Sequence, residues 1–150
     1  MSIHTQAEPC FKEAKRHTRK KLLPLKSLEK KLDRVFSEYI RRRDANEGGT
    51  VSCVTCGKLM HWKECHASHF VKRQHRSTRW DERNVHAQCP RENVYMGGSQ
   101  DLMAGYILDK YGIAVLEELL ELRERIVKYT RQDLIDLIEH FNRKIVELER

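Results

Sequence analysis

The sequence predicts an α+β fold, with a small metal-stapled core of short strands between helices at either end. Three observations predict it. Apolar residues recur at three- and four-residue spacings at Leu28, Leu32, Val35, Phe36, Tyr39 and Ile40, and again at Leu134, Leu137, Ile138, Phe141, Ile145 and Leu148. Each set lines one face of a helix. Between them, T-V-S-C-V-T-C-G-K-L-M-H-W from Thr50 reads as strand, tight turn, strand. Cys53-x-x-Cys56 is followed 33 residues later by Cys89, the pattern of a tetrahedral metal site built in two halves.

The elements follow in order. Residues 1–26 read as a flexible basic leader, with little periodicity and a proline at Pro24. Ser27 is placed to cap the first helix. Arg41, Arg42 and Arg43 crowd its end, where cations suit the helix dipole, and Asn46, Gly48 and Gly49 stop it. After the knuckle, H-A-S-H-F-V-K from His66 reads as a short extended segment, and residues 73–83 as a polar, basic loop. A short helix is expected near Cys89 or Pro90, broken at Gly97 and Gly98. Ser99 is placed to cap a helix closing at Gly112. A further helix is expected from Ile113 to Tyr129, and Thr130 to Asp133 forms a capping box for the last one. The expected organisation is a leader (1–26), a core domain with its leading helix (27–112), and C-terminal helices for packing or dimerisation (113–150).

The chain has 150 residues, 39% hydrophobic and 34% charged, which supports only a modest core that a metal would help to hold. No apolar run reaches membrane-spanning length, and residues 1–26 lack the apolar stretch of a secretion signal. A soluble, cytoplasmic protein is the expectation. Residues 1–43 carry 13 Lys+Arg against 5 Asp+Glu, whereas residues 44–150 carry 16 against 17. The basic excess is concentrated, as a polyanion binder requires. Residues 99–150 hold 8 basic and 11 acidic residues, so they are poor DNA-facing material. The odd cysteine count (Cys10, Cys53, Cys56, Cys65, Cys89) argues for metal thiolates in a reducing compartment rather than a disulfide framework.

Cys53, Cys56 and Cys89 supply three zinc ligands. A second C-x-x-C would need cysteine where Glu92 stands. Glu92 keeps the spacing and offers a carboxylate, His86 lies three residues before Cys89, and Cys65 is a third candidate. Five histidines, His61, His66, His69, His75 and His86, fall within 26 residues. Neutral imidazole is suited to accepting a proton near pH 7. Lys72, Arg73, Arg76, Arg79 and Arg83, with Arg41, Arg42 and Arg43, are candidates for phosphate contacts, which position a substrate without reading its sequence. Trp62 and Trp80 offer faces for unpaired bases, although the core is the expected place for Trp62.

The runs Y-I-R-R-R-D-A from Tyr39, C-V-T-C-G-K from Cys53, W-K-E-C-H-A-S-H-F-V-K-R from Trp62, R-W-D-E-R-N-V-H-A-Q-C from Arg79 and N-V-Y-M-G-G from Asn93 occur in a characteristic order. In these blocks the chain resembles the phage lambda NinG (Rap) recombination endonuclease family, over about Leu22 to Gly112, and more distantly the HNH nucleases. The resemblance implies a zinc-stapled ββα-metal (HNH-like) core that hydrolyses phosphodiester bonds in branched DNA such as Holliday junctions and D-loops. It implies His69 as general base and Asn84 as the residue that orients it through the backbone. It implies Asn93 as ligand of a catalytic Mg²⁺ or Mn²⁺, and Cys53, Cys56 and Cys89 as ligands of structural Zn²⁺. Ser68 stands where an Asp or His ligand is common, leaving His66 or a water to substitute. One divalent ion neutralises both the phosphate and the leaving oxygen, and Mg²⁺ keeps several waters and needs few protein ligands. A two-fold junction cut twice suits a homodimer. Phage recombination proteins are expected partners and the host cytoplasm the expected location. The competing expectation is a non-catalytic zinc-containing module that binds DNA and recruits recombination proteins.

Overall fold

A computed structural model describes residues 22–149. Its first helix, α1, spans Leu25–Arg43. Helix formation begins before Ser27 because Pro24, with φ −57°, already holds the conformation that leads into a helix. The Pro24 carbonyl accepts the Ser27 and Leu28 N–H groups at 2.9 and 3.2 Å. Ser27 is therefore a first-turn residue and not the cap. The expected leader lies outside the described residues up to residue 21.

Two antiparallel strand pairs follow. β1 (Thr50–Ser52) pairs with β2 (Leu59–His61), Thr50 opposite His61. Between them Gly57 takes φ +71°, and the Cys53 N–H bonds to the Lys58 carbonyl at 2.9 Å. That left-handed residue closes the knuckle. β3 (His66–His69) pairs with β4 (Val85–Gln88), His66 opposite Gln88 and His69 opposite Val85. A single π-helical turn, Arg91–Tyr95, leads out of β4.

Three helices complete the chain: α2 (Gln100–Tyr111), α3 (Ile113–Arg123) and α4 (Arg131–Leu148). Gly112, with φ +86°, closes α2 as expected, but the Ser99 side chain does not cap it. α3 stops at Arg123, six residues short of the expected Tyr129. The intervening segment places the Tyr129 ring edge-on against Trp80 at 5.1 Å, a contact that competes with continuing the helix through β-branched Ile126 and Val127. The capping box of α4 forms: Thr130 Oγ1 accepts from the Asp133 N–H at 3.2 Å, and the Asp133 carboxylate from the Thr130 N–H at 2.7 Å. No described helix is long and apolar enough to cross a membrane.

The largest core joins the first and last of the described helices. Leu28, Leu32, Phe36, Tyr39 and Ile40 of α1 meet Leu134, Ile138 and Phe141 of α4, with Trp80 and Val85 between. Phe36 and Phe141 pack edge to face at 4.8 Å. Each such buried side chain stabilises by about 1.5–3 kcal/mol. α4 thus shares its core with α1, across the boundary expected at residue 112. A second cluster, Val71, Met103, Ile107 and Leu119, seats α2 and α3. A third, Val51, Cys65 and Ala87, ties the strand pairs together.

Candidate functional site

The thiols of Cys53, Cys56 and Cys89 lie within 4.8 Å of one another. The turn at Gly57 brings the first two together, and the Cys89 N–H bonds to Cys53 Sγ at 3.3 Å. Cys56 Sγ and Cys89 Sγ are 3.8 Å apart, close to the sulfur separation that ~2.3 Å bonds around a tetrahedral zinc require. Burial works to raise the Cys53 pKa, but hydrogen bonds from Thr55 and backbone N–H groups bring it down to about 7. Three thiols at this spacing fit a structural metal such as zinc.

None of the expected fourth ligands joins this group. The Glu92 carboxylate accepts the Ser99 hydroxyl at 2.5 Å. His86 is fully buried, with Nε2 on the Arg83 carbonyl and Nδ1 accepting from Arg43, both at 3.0 Å. Cys65 donates to the Trp62 carbonyl at 3.2 Å, and burial pushes its thiol up to about 11. Each group has a different partner in this structure.

A cleft of about 250 Å³ lies alongside, lined by Ser68, His69, Lys72, Arg73, Asn93 and Gly98, among others. β3 and β4 set its wall, and the π-helical turn supplies Asn93. His69 Nε2 sits 2.9 Å from the Arg79 carbonyl. A carbonyl only accepts, so Nε2 carries the proton and Nδ1 keeps its lone pair. Burial lowers the His69 pKa below its ordinary 6.5, partly opposed by the Arg79 carbonyl. Neutral imidazole therefore dominates at pH 7.

Asn84 is fully buried and does not touch the cleft by its side chain. Its Oδ1 accepts the Val71 N–H at 2.7 Å, and its Nδ2 donates to the Val71 and Thr78 carbonyls, both at 3.0 Å. It fastens both ends of the loop whose next residue, Arg79, holds His69. Asn93 accepts from the Ser68 hydroxyl at 3.0 Å and donates to His66 Nδ1 at 3.1 Å. Ser68 and His66 therefore fix the orientation of Asn93. The available donors here are an amide oxygen, an imidazole and a hydroxyl.

Several basic residues expected to face phosphate are bound within the protein. Arg79 makes two bonds to Asp33, at 3.0 and 2.6 Å, Trp80 Nε1 a third at 3.0 Å, and Arg73 a fourth at 2.9 Å. Arg76 pairs with Glu29. Glu29 and Asp33 are one turn apart on α1, and they draw the basic loop down onto that helix. Arg43 bonds to Asp44 and to the Glu82 and Val85 carbonyls, and Arg83 bonds to Asp81 and Glu118. Arg43, Arg76, Arg79 and Arg83 thus all have acidic partners within the protein in this arrangement. Burial works to raise the Asp44 pKa, yet the bond from Arg43 with its positive charge, and the bond from the Ala87 N–H, bring it down to about 2. Arg42 lies over the Trp62 ring at 4.3 Å and also pairs with Glu38 and Glu149, while Arg41 bonds to the Ser37 and Trp62 carbonyls. Trp80 is buried in the main core, while Trp62 is half-buried and packs against the third cluster. Lys72 and the largely exposed Arg73 are the cations at the cleft.

The sequence reading missed Asp33 and the Arg79 carbonyl. The carbonyl has no sequence signature. Asp33 had one faint signal, an acid set one turn after Glu29 on a helix facing a basic loop.

The sequence model of one protein family, NinG, described as the bacteriophage lambda NinG protein, matches residues 2–150. No curated protein and no solved structure matches the chain.

Proposed function

Because the chain belongs to the NinG family of bacteriophage lambda, a family associated with phage recombination, we propose that it is a metal-dependent endonuclease cutting branched DNA such as Holliday junctions and D-loops. The observation that carries this reading is the His69 arrangement. A carbonyl holds the ring by Nε2, burial keeps it neutral, and Nδ1 has no hydrogen-bond partner among the described residues, in a ring lining a cleft with Asn93 and two cations.

In this reading the fold is a reduced ββα-metal unit: β3, β4 and the turn carrying Asn93. His69 Nδ1 takes a proton from the attacking water. Asn84 is a positioning residue, acting through the Thr78–Arg79 backbone. Lys72 and Arg73 neutralise phosphate oxygens beside the scissile bond. Asn93, with His66 near it, would hold Mg²⁺ or Mn²⁺. That ion would stabilise charge on the phosphate and leaving oxygen, and the neutral, sparse donor set suits an ion held largely by substrate and water. Zinc at Cys53, Cys56 and Cys89 would be structural. The protein would act as a homodimer in the host cytoplasm, alongside phage recombination proteins.

One feature favours the second reading, a non-catalytic zinc-containing DNA-binding module that recruits recombination proteins. No carboxylate lines the cleft among the described residues. A single experiment separates the two. Purified protein is given a synthetic four-way junction and a matched linear duplex, with Mg²⁺, Mn²⁺ or EDTA, beside His69→Ala. Metal-dependent nicking of the junction, lost in the variant while binding persists, is the expected result. Tight junction binding without cutting under either metal would establish the recruiting module instead.

A further inference from the structure

Val94, Tyr95 and Met96 are consecutive and 58%, 82% and 56% exposed. Three large apolar side chains in a row on the surface oppose the usual patterning and mark a contact site. Their backbone is firmly held. The Met96 N–H bonds to the Arg91 carbonyl at 3.1 Å, and the Gly98 N–H to the Glu92 carbonyl at 2.9 Å. Lys72 Nζ bonds to the Gly97 carbonyl and Gln88 Nε2 to the Gly98 carbonyl, each at 3.0 Å. Gly97, Gly98 and Ser99 all take positive φ, at 63°, 91° and 45°, which turns the chain sharply back. A side chain at Gly98 would bring a Cβ within 2.8 Å of Gln100 Nε2.

The trio also has a defined neighbourhood. Asn93 on one side of it and Gly97 and Gly98 on the other line the cleft that holds His69, Lys72 and Arg73. An apolar knob on a rigid turn thus adjoins a cationic groove without acids among its described lining residues.

We propose that Val94, Tyr95 and Met96 form a wedge that enters the base stack of branched DNA at the branch point, beside the strand held in the cleft. The inference rests on the DNA-cutting reading above and names the feature of the substrate that is recognised. Two observations select DNA over a protein partner. The groove continuous with the wedge is cationic, which matches phosphate. The most exposed member is a tyrosine, whose ring stacks on any base without reading sequence. Bases at a branch are already incompletely stacked, so inserting apolar side chains there costs less than inside a regular duplex. A wedge on a fixed backbone also loses little conformational freedom on binding. Selection of branched over linear DNA then follows from local unstacking and needs no base-reading helix.

The test uses the full chain, the double variant Tyr95→Ala/Met96→Ala and Tyr95→Phe. Affinity for a four-way junction and a linear duplex is measured in EDTA, with 2-aminopurine at the branch. Wild type and Tyr95→Phe should bind the junction equally and change the 2-aminopurine emission. The double variant should bind the junction about tenfold more weakly, leave the emission unchanged and keep its duplex affinity. A double variant with wild-type junction affinity and emission change overturns the wedge, and if it still nicks the junction the nuclease reading survives. A double variant that shifts the protein from dimer to monomer, at an unchanged junction-to-duplex ratio, also overturns it, because the trio is then a subunit interface. Wild type that binds no junction overturns both the wedge and the reading beneath it.

Discussion

Replacing Asn84 with alanine should damage both stability and cutting, by amounts the structure allows one to work out. The side chain is fully buried and makes three hydrogen bonds to backbone. The Thr78 carbonyl keeps a second partner, the Asp81 N–H at 3.2 Å. The Val71 N–H and carbonyl lose their side-chain partner. Two stranded buried groups at about 1–3 kcal/mol each put the cost on the order of 2–6 kcal/mol. A small domain with about 5–15 kcal/mol of total stability would survive the lower part of that range. Urea unfolding at fixed zinc concentration measures the loss. Asn84→Asp is the sharper partner variant, because it keeps the acceptor for Val71 but turns an oxygen toward two carbonyls. It should be at least as destabilised as alanine. The folded fraction of either variant should cut more slowly, because the Arg79 carbonyl is no longer fixed against His69. A loss below about 1 kcal/mol for alanine would refute the reasoning, as would full cutting by a variant that is substantially destabilised.

Two further outcomes are expected. Cutting should depend on neutral His69, whose pKa burial holds below 6.5, so activity is retained above that lowered value and lost as pH falls through it. Single-turnover rates from about pH 5 to 8 should show half-loss below 6.5, and half-loss well above it would remove His69 as the base. Zinc uptake, followed by competition with a chromophoric chelator, should be lost in Cys56→Ser or Cys89→Ser but retained in Glu92→Ala, since the Glu92 carboxylate binds Ser99. Loss in Glu92→Ala as complete as in the cysteine variants would restore Glu92 as a ligand.

The parts of the fold legible in the sequence are those with a strong period or fixed turn chemistry. α1 and α4 show apolar residues along one face, and Thr130 and Asp133 announce the start of α4. β4 was not legible. Val85, His86, Ala87 and Gln88 are all buried, so no alternation marks them, and two of the four are polar. The polar pair is buried because specific partners exist: Arg43 and the Arg83 carbonyl for His86, and Thr55 and the Gly98 carbonyl for Gln88. Such partners are remote in sequence and invisible to periodicity.

The candidate site divides along the same line. The knuckle spacing led directly to the three thiols that the structure groups. The internal pairing of the basic loop was not legible, because a run of arginines looks the same whether it faces phosphate or its own protein. What decides is Glu29 and Asp33, more than forty residues earlier on α1. The Ser99 hydroxyl on the Glu92 carboxylate was hidden for a related reason: spacing shows a ligand's position but not its partner.

The thiol cluster and the cleft are mechanically joined, and this gives the metal site a consequence beyond local stability. The Asn93 N–H bonds to the Cys89 carbonyl at 3.0 Å, so the turn that carries Asn93 starts on a thiol-bearing residue. The Val54 N–H bonds to the Ala87 carbonyl at 3.0 Å, which ties the knuckle to β4. β4 in turn pairs with β3, which carries Ser68 and His69. A metal gripping Cys53, Cys56 and Cys89 would therefore fix the separation between the His69 wall and the Asn93 wall of the cleft. Losing it would leave α1 and α4 packed, since their core contains none of these residues, while the cleft loses its register. The His69 wall keeps its support from the helical core through Val85 and through the Arg79–Asp33 pair, so withdrawing the metal should loosen the turn carrying Asn93 before the helices unfold.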